Sequence, residues 1–216
     1  MDDLRSVICP GMSLREVRAY CEEKMVALGA DSFWYWDVGA FVFAGNETAL
    51  SVSGRTYSTS DRTIAENDII TVDLSPQCSG IWGDFARTIV LEDGCVVQDI
   101  EKIRNEEWKC GLLMEERLHE ELLRVANPEM SFEELHVYMN ELIRKQGYVN
   151  LDFAGNVGHS IACRKEDRIY IEKGNQRKLG DVPCFTFEPH IGVEESEYGF
   201  KKENVYRFDG SKLEEV

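Results

Sequence analysis

The pattern of apolar positions predicts the same amphipathic helix at two places in the chain. After Ser13, apolar residues recur at steps of three and four residues until Gly29, and after Ser131 they do so until Gly147. Each Ser stands three residues before a Glu, as in a capping box, where the two side chains satisfy free amides at the start of a helix. We therefore expect two helices, which start in MSLREVRAY (12–20) and MSFEELHVY (130–138).

The similarity between the two segments continues beyond the helices. The tetrapeptide FAGN at 43–46 recurs at 153–156, and strand-like runs that end on a carboxylate follow at 70–73 and 185–188. We interpret the chain as a duplication with halves of about 12–97 and 130–216, joined by a helix over about 98–126. Because no linker rich in Gly, Ser or Pro separates the halves, we expect a single domain over residues 1–216 with a shared core.

Composition narrows the class of protein and its partners. The 216 residues are 43% hydrophobic, and 40 acidic against 24 basic residues give a formal charge of −16. This charge repels phosphate backbones and anionic membranes, so we expect neither nucleic acid nor membrane as a partner. The chain has no apolar run of transmembrane length and no signal-like N-terminus, which predicts a cytoplasmic location. Seven scattered cysteines without a CxxC pair predict free thiols.

Two carboxylates interrupt the β-pattern of the first half. Asp73 lies near the end of the strand-like run 69–74, and Asp84 lies near the start of a second run, 81–91. A hairpin of these two runs places both carboxylates on one face close to the turn. Asp is disfavoured in strands and facing carboxylates repel each other, and such exceptions often mark a functional site.

The second half supplies a corresponding pair of carboxylates. Glu188 ends one strand-like run, and Glu203 enters the last predicted strand. Two related sets of oxygen ligands suit two adjacent divalent cations. His159 follows a glycine-rich turn that allows close approach of its backbone and ring, so it would add an imidazole to the ligand set.

These residues resemble the ordered Asp, Asp, His, Glu, Glu signature of the methionine aminopeptidase, aminopeptidase P and prolidase superfamily. The resemblance covers nearly the whole chain and rests on Val72-Asp73-Leu74, Gly83-Asp84-Phe85-Ala86-Arg87-Thr88, Gly158-His159-Ser160-Ile161, Phe187-Glu188-Pro189 and Glu203-Asn204. It implies an α+β pita-bread fold, in which helix-plus-antiparallel-sheet halves are related by a pseudo-twofold axis. The match is to the catalytic domain, without the N-terminal domain that prolidase-like and aminopeptidase P enzymes add.

The resemblance also implies the roles of the ligands. Asp73 would chelate one metal ion, His159 and Glu188 would bind the other, and Asp84 and Glu203 would bridge both. The expected cofactors are two divalent ions of manganese, cobalt, iron or zinc. Such a pair activates water and polarises a carbonyl, which is the chemistry of amide hydrolysis. Glu188 is expected in addition to relay a proton to the leaving amine.

The chain departs from the resemblance at two positions. Family peptidases carry a histidine upstream of the first Asp and another seven residues after the ligand His. Here the upstream region offers Ser51 or Ser53, and the second position is Glu166. His190, which lies two residues after Glu188, is a candidate catalytic replacement for a missing donor, and a structural role is its alternative.

Other polar and aromatic residues have two interpretations each. Arg87, Arg164 and Ser53 are candidate substrate-binding residues, although arginines beside carboxylates more often form plain ion pairs. The aromatic run 33–36, followed by Phe41 and Phe43, favours a core strand over a pocket wall or a dimer surface. His119 and His136 lie inside predicted helices and are assigned to structure.

The leading hypothesis is a metallohydrolase that cleaves a peptide or amide bond in a small substrate, in the manner of an Xaa-Pro aminopeptidase, with a homodimer as one compatible assembly. A second hypothesis keeps the fold and metals but changes the reaction to that of a creatinase-like amidinohydrolase or a carbon-sulfur lyase, which the missing histidines favour. A third is a non-catalytic peptide-binding module, which the retention of all five ligands disfavours.

Overall fold

The computed structural model describes all residues, 1–216, and shows helices packed on antiparallel sheet. The helices are α1 (Asp2–Val7), α2 (Leu14–Ala27), α3 (Glu106–Val125) and α4 (Phe132–Lys145). The strands are β1 (Ser32–Phe33), β2 (Ala40–Ala44), β3 (Asp68–Leu74), β4 (Pro76–Cys78), β5 (Ile81–Trp82), β6 (Phe85–Glu92), β7 (Cys95–Val96), β8 (Tyr148–Asn150), β9 (Ser160–Ile161), β10 (Cys184–Phe187), β11 (His190–Val193), β12 (Gly199–Asp209) and β13 (Lys212–Glu215). None of the helices is both long and apolar enough to cross a membrane.

The two predicted capping boxes are present at the starts of α2 and α4. Ser131 Oγ accepts from the backbone N–H of Glu134 at 3.1 Å, and the Ser131 N–H donates to the Glu134 carboxylate at 2.7 Å. Ser13 and Glu16 make the same reciprocal pair. Each helix has 14 residues, so the sequence correctly predicted one helical unit written twice.

The helix that joins the halves is shorter than predicted. It begins at Glu106 and not near residue 98, because the Asn105 side chain accepts from the N–H groups of Glu107 and Trp108 and caps the helix there. The preceding residues contain only a 3-10 turn, Ile100–Lys102. The C-terminal end, at Val125, lies close to the predicted position.

The main sheet runs through both halves in the order β2-β3-β6-β12-β10-β9. β3 and β6 are antiparallel from Asp68↔Leu91 to Leu74↔Phe85, as the predicted hairpin requires. The predicted single strand over 81–91 is nevertheless broken at Gly83 and Asp84. The break arises because Ile81–Trp82 pairs with β4 in a separate three-stranded sheet, β1-β4-β5.

The apolar core divides into two clusters that share this sheet. One contains 13 buried residues and packs α1 and α2 against β2, β3 and β6, while the other contains 20 and gathers mainly α3, α4 and the strands of the second half. The 11-residue strand β12 pairs with β6, β10, β11 and β13. The halves are therefore connected through β12 and its neighbours.

Candidate metal centre and active site

The structure brings all five predicted ligands to one place at the centre of the sheet. Ala86 of β6 pairs with Asp73 of β3 on one side and with Glu203 of β12 on the other, so the two strands that flank β6 present these carboxylates on the same face of the sheet. Asp84 lies just before β6, and Glu188 follows β10 directly. Glu203 lies inside β12 rather than at its entrance, and its side chain is completely buried.

The fifth ligand, His159, is placed by close contact between two backbone segments. Gly158 has φ +147°, and a Cβ there would collide with the Thr186 carbonyl, so only glycine allows this approach. The His159 N–H donates to Thr186 Oγ1 at 3.1 Å, and the Thr186 N–H donates to the His159 carbonyl at 2.7 Å. His159 Nδ1 is 3.1 Å from the Ser160 carbonyl, which fixes it as the protonated nitrogen. In the neutral ring, Nε2 then has the lone pair that a metal ion would use.

The imidazole and carboxylates converge closely. His159 Nε2 is 3.5 Å from an oxygen of Asp84 and 3.5 Å from an oxygen of Glu188. Burial tends to lower the pKa of His159, but the neighbouring carboxylates outweigh it and raise that pKa. Burial, with the repulsion of Asp73 and Glu188, raises the pKa of Asp84 to about 7. The site therefore holds more negative charge than its own groups neutralise.

Glu203 provides the test of whether a metal fits. Both of its carboxylate oxygens are buried without a hydrogen-bond partner, and burial with the charge of Asp84 raises its pKa well above the usual range. Such a group is costly unless it is paired or coordinated. Ligand atoms of Asp84, His159 and Glu203 lie within 4.8 Å of one another. Carboxylates with one imidazole suit Mn, Fe, Co and Zn, so the residues fit a divalent metal.

Lys201 belongs to the site but was not singled out in the sequence. Its ammonium lies 2.6 Å from Asp73 Oδ2 and 3.0 Å from Glu188 Oε2. Burial tends to lower the pKa of Lys201, but the carboxylates outweigh it and hold that pKa well above the usual range. Alternation along a strand would have revealed it, because residues two apart, such as Lys201 and Glu203, face the same side.

A cavity of about 530 Å³ opens above these residues, with aromatic side chains along its wall. The wall is formed by Trp34, Tyr35, Phe41, Phe43 and Tyr170, with the Trp34 ring 5.7 Å from the His159 ring between centroids. The expectation that the aromatic run is a core strand was therefore wrong for most of it. Only Ser32–Phe33 forms a strand there, and the following residues turn so that Trp34 and Tyr35 reach the cavity.

Arg168 is the cation of this aromatic wall. Its guanidinium stacks 4.7 Å from the Trp34 ring and 5.3 Å from the Tyr170 ring, and its Nε donates to the Tyr170 hydroxyl at 2.8 Å. It lines the cavity and forms no ion pair with a carboxylate in the structure. Tyr170 is only two residues from Arg168, but Trp34 is more than a hundred residues away, so the local sequence does not predict the position of this guanidinium.

The other candidates divide between the cavity and the outside. His190 and Ser53 line the cavity, whereas Glu166 is exposed. Arg164 is exposed in a pair with Asp167 at 2.8 Å, away from the cavity. Arg87 points to the helix side of the sheet, where it donates to the Glu203 carbonyl and to Asn204 Oδ1. The contacts of Arg87 and Arg164 are thus within the protein, and neither arginine lines the cavity. Arg168 lines it instead, where a substrate-binding arginine was expected.

His190 is buried and neutral. Its Nε2 lies 2.7 Å from the Thr48 carbonyl, which can only accept, so Nε2 carries the proton and Nδ1 is an acceptor. Burial, assisted by the charge of Lys201, lowers the pKa of His190 to about 4. The donor that the sequence suggested is therefore already used within the protein.

His119 has a structural environment away from the cavity. Its Nδ1 is 2.6 Å from the Tyr206 hydroxyl and its Nε2 is 3.0 Å from the Lys202 carbonyl. Burial lowers the pKa of His119 to about 3, so the ring stays neutral. The seven cysteines are all free thiols, in agreement with their spacing in the sequence.

Comparisons with known proteins show the family and the fold of the chain. A curated Xaa-Pro dipeptidase from Lactobacillus helveticus is 26% identical over 153 residues, which are 70% of this chain and 37% of that protein. An X-Pro aminopeptidase structure from Thermotoga maritima matches with TM-score 0.80 and 21% identity, over 99% of this chain and 55% of that one. A Pyrococcus furiosus prolidase structure matches with TM-score 0.79 and 21% identity, over 98% and 57%. The chain thus spans 55% and 57% of the length of these two structures and 37% of the length of the curated dipeptidase.

These likenesses establish the α+β pita-bread fold that the sequence predicted. The family model for "Metallopeptidase family M24" matches residues 1–209, which is nearly the whole chain and includes every ligand of the site. The chain belongs to metallopeptidase family M24.

Proposed function

We propose that this protein is a metal-dependent hydrolase that cleaves a peptide bond in a small substrate, similar to Xaa-Pro peptidases. The observation that supports the proposal most strongly is the completely buried Glu203 carboxylate, which has no hydrogen-bond partner and lies beside Asp84 and His159. Among these other carboxylates, a buried carboxylate of this kind is stable as an anion only when a cation pairs with it or coordinates it. We infer two divalent ions, with manganese, cobalt, iron and zinc as candidates.

The residues that would hold the ions are Asp73, Asp84, His159, Glu188 and Glu203. When bound there, the ions supply water activation and carbonyl polarisation. Glu188 is the candidate proton relay, because its carboxylate lines the cavity while contacting both His159 and Lys201. The 3.0 Å contact with the Lys201 ammonium holds this carboxylate in a defined orientation.

The cavity wall supports a peptide with a free carboxylate as the substrate. Arg168 is a cation fixed by its aromatic neighbours and without a carboxylate partner, so a substrate carboxylate can bind it in a bidentate manner. His190 offers Nδ1 as an acceptor for an N–H group of the substrate. The volume of about 530 Å³ suits a compact ligand, such as a dipeptide.

A second candidate function keeps the metals but changes the reaction to that of a creatinase-like amidinohydrolase or a carbon-sulfur lyase. The histidine content of the cavity favours it, since His159 and His190 are the only histidines that line the cavity. At the two positions where the related peptidases carry a non-ligand histidine, this chain has no histidine.

Metal content and hydrolysis together test the proposal. We would measure metal by elemental analysis on protein purified without chelator, with Asp84→Ala as the ligand variant. Glu172→Gln is the matched control, because Glu172 lines the same cavity without joining the ligand cluster. About two ions per chain, lost in Asp84→Ala and kept in the control, would support the centre.

The substrate panel then separates the two functions. Xaa-Pro dipeptides, their C-terminal amides, creatine and an S-substituted cysteine are offered to the metal-loaded protein. Hydrolysis of the dipeptides supports the peptidase, and turnover of creatine or the thioether favours the second candidate. If the chain binds no metal after reconstitution with manganese, cobalt, iron or zinc, the metallohydrolase proposal fails.

A further inference from the structure

A second cavity, of about 310 Å³, lies on the helix side of the sheet and outside the proposed active site. Strand β12 separates the two. Lys201 and Glu203 face the metal centre, whereas Lys202, between them, faces α3 and forms an ion pair with Glu116. Residues of α1, β6, β12 and α3 line this second cavity.

Two guanidiniums without carboxylate partners line this cavity. Arg87 donates only to neutral oxygens, the carbonyls of Ala86 and Glu203 and the side-chain amide of Asn204. Arg5 of α1 makes no side-chain hydrogen bond or ion pair in the structure. Glu116 and Lys202 also line the cavity but pair with each other, so the charges of the two guanidiniums are left without a paired carboxylate there.

The third feature is Glu115 of α3, which is only 2% exposed and lines the same cavity. Neither of its carboxyl oxygens has a hydrogen-bond partner. Burial raises the pKa of Glu115 well above the usual range, by more than the nearby Lys202 lowers it. A carboxyl group that is buried without a partner favours its neutral form, whose O–H can donate a hydrogen bond to a ligand.

We propose that this cavity binds a small tetrahedral oxyanion, either free phosphate or the phosphate group of a small metabolite, between Arg5 and Arg87, with Glu115 donating a third hydrogen bond. The donors come from three different elements, α1, β6 and α3, and this spread suits the oxygens of a tetrahedral anion better than a planar carboxylate. A neutral Glu115 adds a donor without repelling the anion. None of the proposed metal ligands lines this second cavity.

Calorimetric titration of the metal-loaded protein with inorganic phosphate tests the site, with acetate as a planar comparison. Arg5→Met removes one guanidinium and should weaken phosphate binding by about tenfold or more, since a charged hydrogen bond is lost. Arg144→Met is the matched control, because Arg144 is exposed on α4, forms no ion pair and gives the same change of charge. It should bind phosphate as the wild type does.

Glu115 variants test the neutral donor. Glu115→Gln keeps a neutral donor and should retain binding within about threefold, whereas Glu115→Leu should lose about tenfold. Circular dichroism confirms that each variant is folded.

The proposal is overturned if Arg5→Met binds phosphate as tightly as Arg144→Met, if acetate binds as tightly as phosphate, or if no saturable binding occurs. Phosphate binding on the metal ions is the part that Arg5→Met and Arg144→Met share, so binding at the cavity is counted only as the saturable part that Arg144→Met keeps and Arg5→Met loses. A phosphorylated metabolite as the natural ligand would bind more tightly than phosphate and compete with it at this cavity.

Discussion

Lys201 contributes an ammonium that lies 2.6 Å from Asp73 Oδ2 inside the carboxylate cluster. It also contacts Glu188 at 3.0 Å, so one side chain connects two of the proposed metal ligands. This ammonium offsets part of the charge of three neighbouring carboxylates, Asp73, Glu188 and Glu203. The same cation should therefore stabilise the metal-free protein and oppose the binding of a further positive charge.

The first prediction concerns the Lys201→Met variant. Removal of the ammonium leaves the buried Glu188 and the partly buried Asp73 without their partner, which should destabilise the chelator-treated protein by about 3 kcal/mol. Metal addition should then raise the melting temperature more in this variant than in the wild type. Thermal unfolding with chelator and with manganese measures both effects. Lys201→Arg, which keeps the charge, should behave as the wild type, and an equal metal-induced shift in all three proteins would falsify this role.

The second prediction concerns pH. The folded pKa of Asp84 is raised to about 7 from an ordinary value of 3.8, so the folded metal-free protein holds this proton more tightly than the unfolded chain. The corresponding stability is complete below the unfolded pKa and is lost as pH rises through the folded one. Asp84→Asn stays neutral at all these pH values. The difference in unfolding free energy between this variant and the wild type should therefore shift in favour of the variant as pH rises from about 5 to about 8.

Chemical denaturation of both chelator-treated proteins at the two pH values measures this difference. Buried His119 and His190 have the opposite pH dependence, because their folded pKa values are lowered, but they are present in both proteins and cancel. A difference that stays constant with pH would contradict the assignment of Asp84 as a strained carboxylate.

The third prediction rests on the proposed peptidase function. Arg168→Met should raise KM for a dipeptide with a free C-terminal carboxylate by about tenfold, because a charged hydrogen-bond partner is lost. The same dipeptide as its C-terminal amide should show little change. Steady-state kinetics on both substrates measures the two effects. Equal losses on the acid and the amide would assign Arg168 to packing of the aromatic wall.

The fourth prediction concerns the duplicated helix start. Ser131→Ala removes the acceptor for the Glu134 N–H and should cost about 1 kcal/mol of unfolding free energy. Ser6→Ala serves as the control, since the exposed Ser6 only donates to the Asp3 carbonyl, and it should change stability by less than about 0.5 kcal/mol. Denaturant unfolding of the two variants measures the difference. Equal losses of unfolding free energy would show that the cap at Ser131 stabilises the protein no more than an exposed serine does.

Local sequence patterns carried enough information for much of the fold, and the family resemblance named the five proposed ligands that the fold brings together. The capping boxes at Ser13 and Ser131 are local devices, so the two helix starts were predictable to the residue. The break at Gly83 and Asp84 was not, because it depends on the pairing of Ile81–Trp82 with another strand. Helix α3 began late for a local reason, the Asn105 cap, which a closer examination of the sequence can detect.

The residues around the ligands were harder to predict. Arg168 owes its position to stacking on Trp34, which is distant in sequence, and no spacing rule connects the two. The aromatic run had the composition of a core strand, and only the fold shows that Trp34 and Tyr35 face a cavity. Tertiary contacts of this kind override local propensity.

Strand β12 directs Lys201 and Glu203 toward the proposed metal centre and Lys202 toward the second cavity. A slip of β12 by a single residue would exchange these faces, so that Glu203 would turn away from the metal centre and Lys202 would enter it. Pairing with four strands opposes such a slip, at β11 near Lys201, at β6 at Glu203 and at β10 and β13 beyond. Residue insertions or deletions within this strand should therefore abolish metal binding even where the helices and both apolar clusters survive.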